Sequence, residues 1–242
     1  MFKYFSIFIS PLLLLFGFWS LFYSQKSIHY WLLGLAIVVI LLSGRILARN
    51  KFWKFKVLWL NLILVYISQL LFILLLISGG ARYVLSFILA LSWLLIWWLM
   101  AKYFENIDSS IVSSNYLAVN KFFYYLGFWF LSTSLYSLVI FLHFPIFYAG
   151  LIMLGATFFW SLDIIRSRDD LNWPYLLFTL FLLSQILTVV YLLPLSFYVA
   201  GTIATLWFFF IIDSTANTLK SFKLYLSLFL LSILLLLITS II

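Results

Sequence analysis

The chain of 242 residues contains no cysteine, and only 8% of its residues are charged. Without cysteine it can form no disulfide, no thiolate nucleophile, no iron–sulfur centre and no cysteine-ligated zinc site. Soluble domains carry about 25% charged residues, so this chain has too few charges to cover a water-exposed surface. We therefore predict that lipid surrounds most of the molecule, as in an integral membrane protein.

The chain also lacks the sequence motifs of common catalytic sites. It has no G-x-S-x-G, H-E-x-x-H, Walker A or G-x-G-x-x-G pattern. Its two histidines, His29 and His143, have no acidic neighbour that would complete a metal site. We therefore expect no cofactor and no resident metal ion, and the missing motifs favour a protein without catalytic activity.

Long apolar runs make up most of the sequence, which is 67% hydrophobic and 22% aromatic. A bilayer core about 30 Å thick requires roughly 20 apolar residues per helix. With that length as the criterion, the sequence predicts an all-α fold with nine transmembrane helices arranged as antiparallel hairpins. The predicted spans are about 5–23, 29–47, 57–78, 83–103, 120–142, 145–163, 174–193, 195–212 and 224–242. We expect the first span to be retained, because Phe22, Tyr23 and Ser24 make a poor signal-peptide cleavage site.

The basic residues are distributed unequally between the two sides of this predicted topology. With the N-terminus inside, the outer side holds only Lys26 and Arg82 of the 14 lysines and arginines. The inner side holds Lys3, Arg45, Arg49, Lys51, Lys54, Lys56, Lys102, Lys121, Arg166, Arg168, Lys220 and Lys223. Cytoplasmic loops carry this excess, so we predict a cytoplasmic N-terminus in a bacterial or archaeal cytoplasmic membrane. The net charge of +8 then reflects orientation, and we expect no nucleic-acid partner.

The longest connection between predicted spans, "ENIDSSIVSSNYLAVNKFF", has apolar residues at near-helical spacing. Asp108 is a suitable N-cap for such a helix. We predict a short helix that lies in the inner interface and leads into the fifth span.

Spans three, five and seven each carry polar residues near mid-membrane, and each is followed by a returning span. This recurrence predicts three related helical hairpins within a single transmembrane domain (1–242), at about 55–107, 120–171 and 173–219. The alternative is a chance match, because Leu, Phe and Ser are so common in this chain.

Acidic and basic residues cluster where the sixth and eighth predicted spans reach the inner side. They are Asp163, Arg166, Arg168, Asp169, Asp170 and Asp213. These groups form a candidate site for a phosphate headgroup or a metal ion. Charges at helix ends and in a solvated loop explain the same pattern without a ligand.

The connection after the second span, "GRILARNKFWKFK", is the most basic part of the chain. Its cations are Arg45, Arg49, Lys51, Lys54 and Lys56. Such clusters attract anionic lipid headgroups, by about 1 kcal/mol per cation. They also arise from the orientation rule alone, and a membrane-protein partner is the remaining interpretation.

Several polar residues fall inside the predicted spans, among them Asn61, Gln69, Thr133 and Gln185. They either line a path for a solute or hold helices together by hydrogen bonds, which average about 0.6 kcal/mol in membrane proteins. No acidic or basic residue lies mid-span, so we exclude a proton relay or voltage sensor. The tryptophans, including Trp93, Trp97 and Trp98, are interpreted as an interfacial belt.

Three functions are compatible with this sequence. The first is a non-enzymatic permease-like or envelope-assembly component that handles an apolar or lipid-linked ligand, or that scaffolds partner proteins. The second is a lipid-modifying enzyme with its site at the Asp163 cluster. The third is a small-solute transporter with a path along the helices of Gln69 and Gln185.

Overall fold

The computed structural model describes residues 2–23, 28–76, 79–105, 110–166, 173–193 and 195–214. Across these ranges the chain forms eight α-helices and one 3-10 helix, and it contains no β-strand. The all-α prediction is confirmed. Leucine-rich sequences favour the helix intrinsically, and a helix satisfies every backbone hydrogen bond internally where no water is present.

The eight helices correspond to the first eight predicted spans, and their boundaries differ by at most four residues except that α5 begins ten residues earlier than predicted. They are α1 (Phe2–Tyr23), α2 (Ile28–Ala48), α3 (Lys56–Leu75), α4 (Gly79–Glu105), α5 (Ser110–Leu142), α6 (Ile146–Arg166), α7 (Trp173–Leu192) and α8 (Phe197–Ser214). The predicted ninth span, 224–242, lies outside the described residues. Among the described residues, four segments are long and apolar enough to cross a membrane, and four further apolar helices are shorter. The four long segments are Lys51–Leu75, Gly79–Glu105, Tyr116–Leu142 and Ile146–Ile164.

One sequence prediction between these helices is corrected by the structure. The residues after Asp108 do not form a separate short helix, because α5 runs without interruption from Ser110 to Leu142. Its 33 residues correspond to about 50 Å, which exceeds a bilayer core by roughly 20 Å. In the basic connection between α2 and α3, Arg49–Phe55 form a 3-10 helix. We call Arg49–Phe55 the basic segment.

The chain divides into two compact units, Met1–Tyr124 and Tyr125–Ile242, and the division falls within α5. In the first unit α1 packs against α2, α3 and α4. Tyr66 of α3 donates its hydroxyl to the carbonyl of Leu14 in α1 at 3.3 Å. A Cβ on Gly17 would lie 2.5 Å from that hydroxyl oxygen, so the glycine allows this close approach.

In the second unit α7 packs against both α6 and α8. The α5–α8 contact is close, because a Cβ on Gly201 would lie 2.9 Å from the backbone nitrogen of Thr133. Ser132 donates its hydroxyl to the Gly201 carbonyl at 3.2 Å across the same contact. Phe128 of α5 stacks on Phe208 of α8 with ring centroids 4.5 Å apart.

The break between α5 and α6 occurs at "HFP", as the position of Pro145 predicts. His143 has a positive φ of 50°, which turns the chain immediately after Leu142. The backbone N–H of Ala149 donates to the Pro145 carbonyl at 3.2 Å and begins the α6 ladder. This short connection makes α5 and α6 antiparallel neighbours.

Candidate functional site

The structure describes only part of the predicted acidic and basic cluster at the ends of α6 and α8. Asp163 lies in the last turn of α6, where it is half-buried. Arg168, Asp169 and Asp170 lie outside the described residues. Arg166 and Asp213 belong to α6 and α8, and their side chains are likewise outside the described part. The headgroup site at this cluster therefore stays a prediction.

The described residues contain no candidate metal site around Asp163 or His143. Within the described ranges, no group of three or more histidine, aspartate or glutamate side chains is placed to hold a metal ion. The chain contains no cysteine that could contribute.

The polar residues predicted to lie within the membrane fall in three different environments. Asn61 and Gln69 of α3 are fully buried in the first unit. Thr133 of α5 is buried in the second unit, where it faces Gly201 of α8. Gln185 of α7 is exposed on the surface of the second unit.

Gln69 belongs to a cluster of buried aromatic rings. The indole N–H of Trp93 donates to Gln69 Oε1 at 2.8 Å. Trp93 also contacts Tyr66, with ring centroids 6.0 Å apart at 70°, and Phe123, with centroids 5.3 Å apart at 89°. Gln69 therefore serves as an interhelical contact and does not line an open path.

The belt interpretation of the α4 tryptophans is wrong for two of the three. Trp93 and Trp97 are fully buried in the first unit. Trp98 is exposed, and Lys102 lies over its ring at 3.7 Å. Trp98 therefore has the environment expected at a membrane interface, whereas the other two are core residues.

A cavity of about 350 Å³ lies in the second unit between α5, α6 and α7. Its wall is formed by residues 135–139 of α5, 146–154 of α6 and 184–191 of α7. Leu135, Met153 and Leu187 are buried, whereas Phe147 and Leu151 are exposed. The cavity therefore has a buried floor and an exposed apolar rim.

Three of the four hydroxyl groups in the cavity wall donate to backbone carbonyls, and the fourth belongs to Tyr191. Tyr136 donates its hydroxyl to the Leu187 carbonyl at 3.2 Å. Ser184 and Thr188 donate within α7, to Phe181 at 2.7 Å and to Ser184 at 2.8 Å. A ligand in this cavity therefore meets mostly carbon atoms, and most of the hydroxyl groups beside it already donate to the protein backbone, which suits a hydrocarbon chain.

The cavity was not predicted from the sequence. A usable signal was present in "FYAGLIML", because Ala149 and Gly150 are small residues in a run of large ones. Gly150 lines the cavity, and no atom lies within 4 Å of where its Cβ would be. The small residues leave space that neighbouring side chains do not fill.

No protein-family model, curated protein or solved structure matches this chain.

Proposed function

We propose that this protein is a non-catalytic, multi-pass protein of the cytoplasmic membrane that holds the hydrocarbon chain of a lipid or lipid-linked molecule. The cavity between α5, α6 and α7 is the observation that carries the proposal. Its volume of about 350 Å³ lies at the lower end of the range for ligand pockets, about 300–1,000 Å³. That size suits a single hydrocarbon chain.

The proposed topology has nine spans, a cytoplasmic N-terminus and a final span at 224–242. Four described segments with membrane-spanning length and hydropathy, together with the unequal distribution of Lys and Arg, support this topology. In it α5 and α7 run outward and α6 runs inward. The cavity wall then lies in the outer leaflet, near the end of α5, the start of α6 and the end of α7.

The length of the cavity also fits a lipid chain in one leaflet. Its wall includes Ile146 and Leu154 of α6, which are separated by about 12 Å along the helix at 1.5 Å per residue. One leaflet of the bilayer core is about 15 Å thick. A chain entering past Phe147 would therefore remain within that leaflet.

The position of the cavity favours binding over chemistry at the Asp163 cluster. Asp163 follows Leu154 by nine residues of α6, or about 14 Å along the axis. A lipid chain in the cavity would thus place its headgroup at the opposite end of α6. This separation weakens the support for a lipid-modifying enzyme. The transporter alternative is also weakened, because Gln69 is enclosed and hydrogen-bonded to Trp93 and cannot line a path for a solute.

Binding in this cavity should depend on shape. Lipid tails are as apolar as the cavity wall, so transfer from bilayer to cavity gains little hydrophobic free energy, and packing decides affinity. A side chain that fills the space should therefore exclude the ligand.

The test is photocrosslinking of the purified full-length protein with a phospholipid that carries a diazirine in its acyl chain. Bulk lipid will label exposed side chains such as Phe181 and Val189. Only a chain inside the cavity can label the buried residues Leu135, Met153 and Leu187. We expect adducts on these buried residues, mapped by peptide mass spectrometry.

The matched variants are Gly150→Trp and Gly155→Trp on α6. Neither glycine has an atom within 4 Å of its Cβ position, but only Gly150 lines the cavity. We expect Gly150→Trp to remove the adducts on Met153 and Leu187, and Gly155→Trp to retain them. Adducts confined to exposed residues, or equal labelling in both variants, would contradict the proposal.

A further inference from the structure

The basic segment has the periodicity of a 3-10 helix, in which side chains three residues apart lie in one row. Phe52 and Phe55 form one such row, and both are half-buried. Lys51 and Lys54 form another row, and both are exposed. The segment therefore has an aromatic side and a cationic side.

The aromatic side is fixed to the first unit by specific contacts. Phe52 stacks on Trp59 with ring centroids 5.4 Å apart at 12°, and the Trp59 indole N–H donates to the Phe52 carbonyl at 3.0 Å. Phe55 packs edge-on against Phe104 of α4 at 5.2 Å. These contacts hold the backbone of the segment in one conformation against α3 and α4.

The cationic side consequently presents two ammonium groups that share one row. One turn of a 3-10 helix rises about 6 Å, so the side chains of Lys51 and Lys54 leave the backbone close to each other. Two like charges at this separation repel, and an anion between them would stabilise both. Because the backbone of the segment is held in place, the fold itself keeps the two lysines in one row.

Trp53, the residue between the two lysines, indicates what kind of anion is expected. Its side chain is 73% exposed. Exposure of so large and apolar a ring to water is unusual. Trp side chains at the level of lipid headgroups are common, because the ring is apolar and its N–H is polar. The segment joins the ends of two apolar helices, α2 and α3, which places it at that level.

We propose that Lys51 and Lys54 bind the phosphate of one anionic phospholipid, with Trp53 inserted among the headgroups beside it. The bound anion is a lipid headgroup, because binding of a soluble phosphate would not explain why the Trp53 indole is exposed. This site belongs to the first unit and is independent of the cavity in the second. Its assignment to the inner leaflet rests on the proposed topology, but the binding itself does not.

The test is native mass spectrometry of the full-length protein in detergent, titrated with phosphatidylglycerol or with phosphatidylcholine of the same acyl chains. The variant Lys51→Gln/Lys54→Gln removes the charge pair, and Lys51→Arg/Lys54→Arg retains it. Lys3→Gln/Lys26→Gln removes the same formal charge elsewhere and serves as the control. At about 1 kcal/mol per cation, we expect the first variant to bind phosphatidylglycerol about 30-fold more weakly.

Phosphatidylcholine binding should be equal in all four proteins, and the arginine variant and the control should keep phosphatidylglycerol affinity within about threefold of the unmodified chain. Equal losses in the control and in Lys51→Gln/Lys54→Gln would show a general charge effect and overturn the proposal. Displacement of the lipid by an equal concentration of free glycerol phosphate would assign the site to a soluble phosphate instead. If the double variant does not fold, Lys54→Gln alone should weaken binding about fivefold, and an unchanged affinity would count against the site.

Discussion

Trp93 of α4 donates its indole N–H to Gln69 Oε1 of α3 at 2.8 Å, and both side chains are fully buried in the first unit. The bond pairs a glutamine at a predicted mid-membrane position with a tryptophan that the belt interpretation places at the surface. Gln69 Nε2 has no hydrogen-bond partner among the described residues. The amide therefore acts as an acceptor for Trp93, and its function is to join two helices.

The first prediction concerns the energetic coupling of this pair. Gln69→Leu and Trp93→Phe should each destabilise the first unit, and the double variant should lose less stability than the sum of the two. Interhelical hydrogen bonds in membrane proteins average about 0.6 kcal/mol and reach about 1.7, so we expect a coupling free energy of roughly 1 kcal/mol. Equilibrium unfolding in mixed micelles, analysed as a double-mutant cycle, measures it.

Ser68→Ala is the control for this cycle. Ser68 is also buried on α3, but its hydroxyl donates to the Leu64 carbonyl within the same helix at 2.7 Å. It should show no coupling to Trp93→Phe beyond about 0.3 kcal/mol, the level at which independent sites add. Equal coupling for Ser68 and Gln69 would mean that the hydrogen bond does not contribute.

The second prediction concerns the close contact of α5 and α8. A Cβ at position 201 would meet the Thr133 hydroxyl and would lie 2.9 Å from the Thr133 backbone nitrogen and Cα. Gly201→Ala should therefore push α8 away from α5, at a cost of about 1–3 kcal/mol for overpacking. Thermal unfolding in detergent reports the loss.

Two further variants make this prediction specific. Gly201→Ala/Thr133→Ala should remain destabilised, because the 2.9 Å contacts are with backbone atoms that the second substitution leaves in place. Gly155→Ala should not destabilise the protein, because its Cβ would meet no atom within 4 Å and alanine loses less conformational freedom than glycine. Similar unfolding temperatures for Gly201→Ala and Gly155→Ala would refute the close contact.

The third prediction concerns the attachment of the basic segment to α3. Trp59→Phe retains a ring that can stack on Phe52 but removes the N–H that donates to the Phe52 carbonyl. A loss of about 1 kcal/mol should make local opening about fivefold more frequent. Trypsin should then cleave after Lys51 or Lys54 about fivefold faster in the purified protein.

Trp53→Phe is the matched control for this measurement, because Trp53 is exposed and lies in the same segment. Its cleavage rate should stay within about twofold of the unmodified chain. If Trp59→Phe and Trp53→Phe were cleaved at the same rate, the indole hydrogen bond would not hold the segment.

The sequence predicted the helices of this fold well because their lengths are set by hydropathy and their ends by charge and proline. The break at Pro145 and the bounds of α2, Ile28–Ala48 against a predicted 29–47, are examples. The burial of particular faces could not be predicted in the same way. A helix that is apolar on all sides gives no periodic signal, so Trp93 and Trp98 look alike in sequence although only Trp93 is buried.

For the candidate sites, too, the sequence did not predict which side chains are buried. Gln69 and Gln185 occupy equivalent positions in the predicted hairpins, yet Gln69 is buried against Trp93 and Gln185 is exposed. The basic segment was recognisable by its charge. Its 3-10 conformation depends on contacts of Phe52 and Phe55 with residues of other helices, and a local sequence pattern does not contain them.

The central claim of this account is that the chain crosses the membrane with its basic connections on the cytoplasmic side. Since the chain has no cysteine, each introduced cysteine is the only one, and its labelling by a membrane-impermeant maleimide reports its side. In intact cells we predict that Gly80→Cys is labelled, whereas Lys51→Cys and Arg168→Cys are labelled only after permeabilisation. Labelling of Lys51→Cys and Arg168→Cys from opposite sides, or of Gly80→Cys from the same side as Lys51→Cys, would contradict the account.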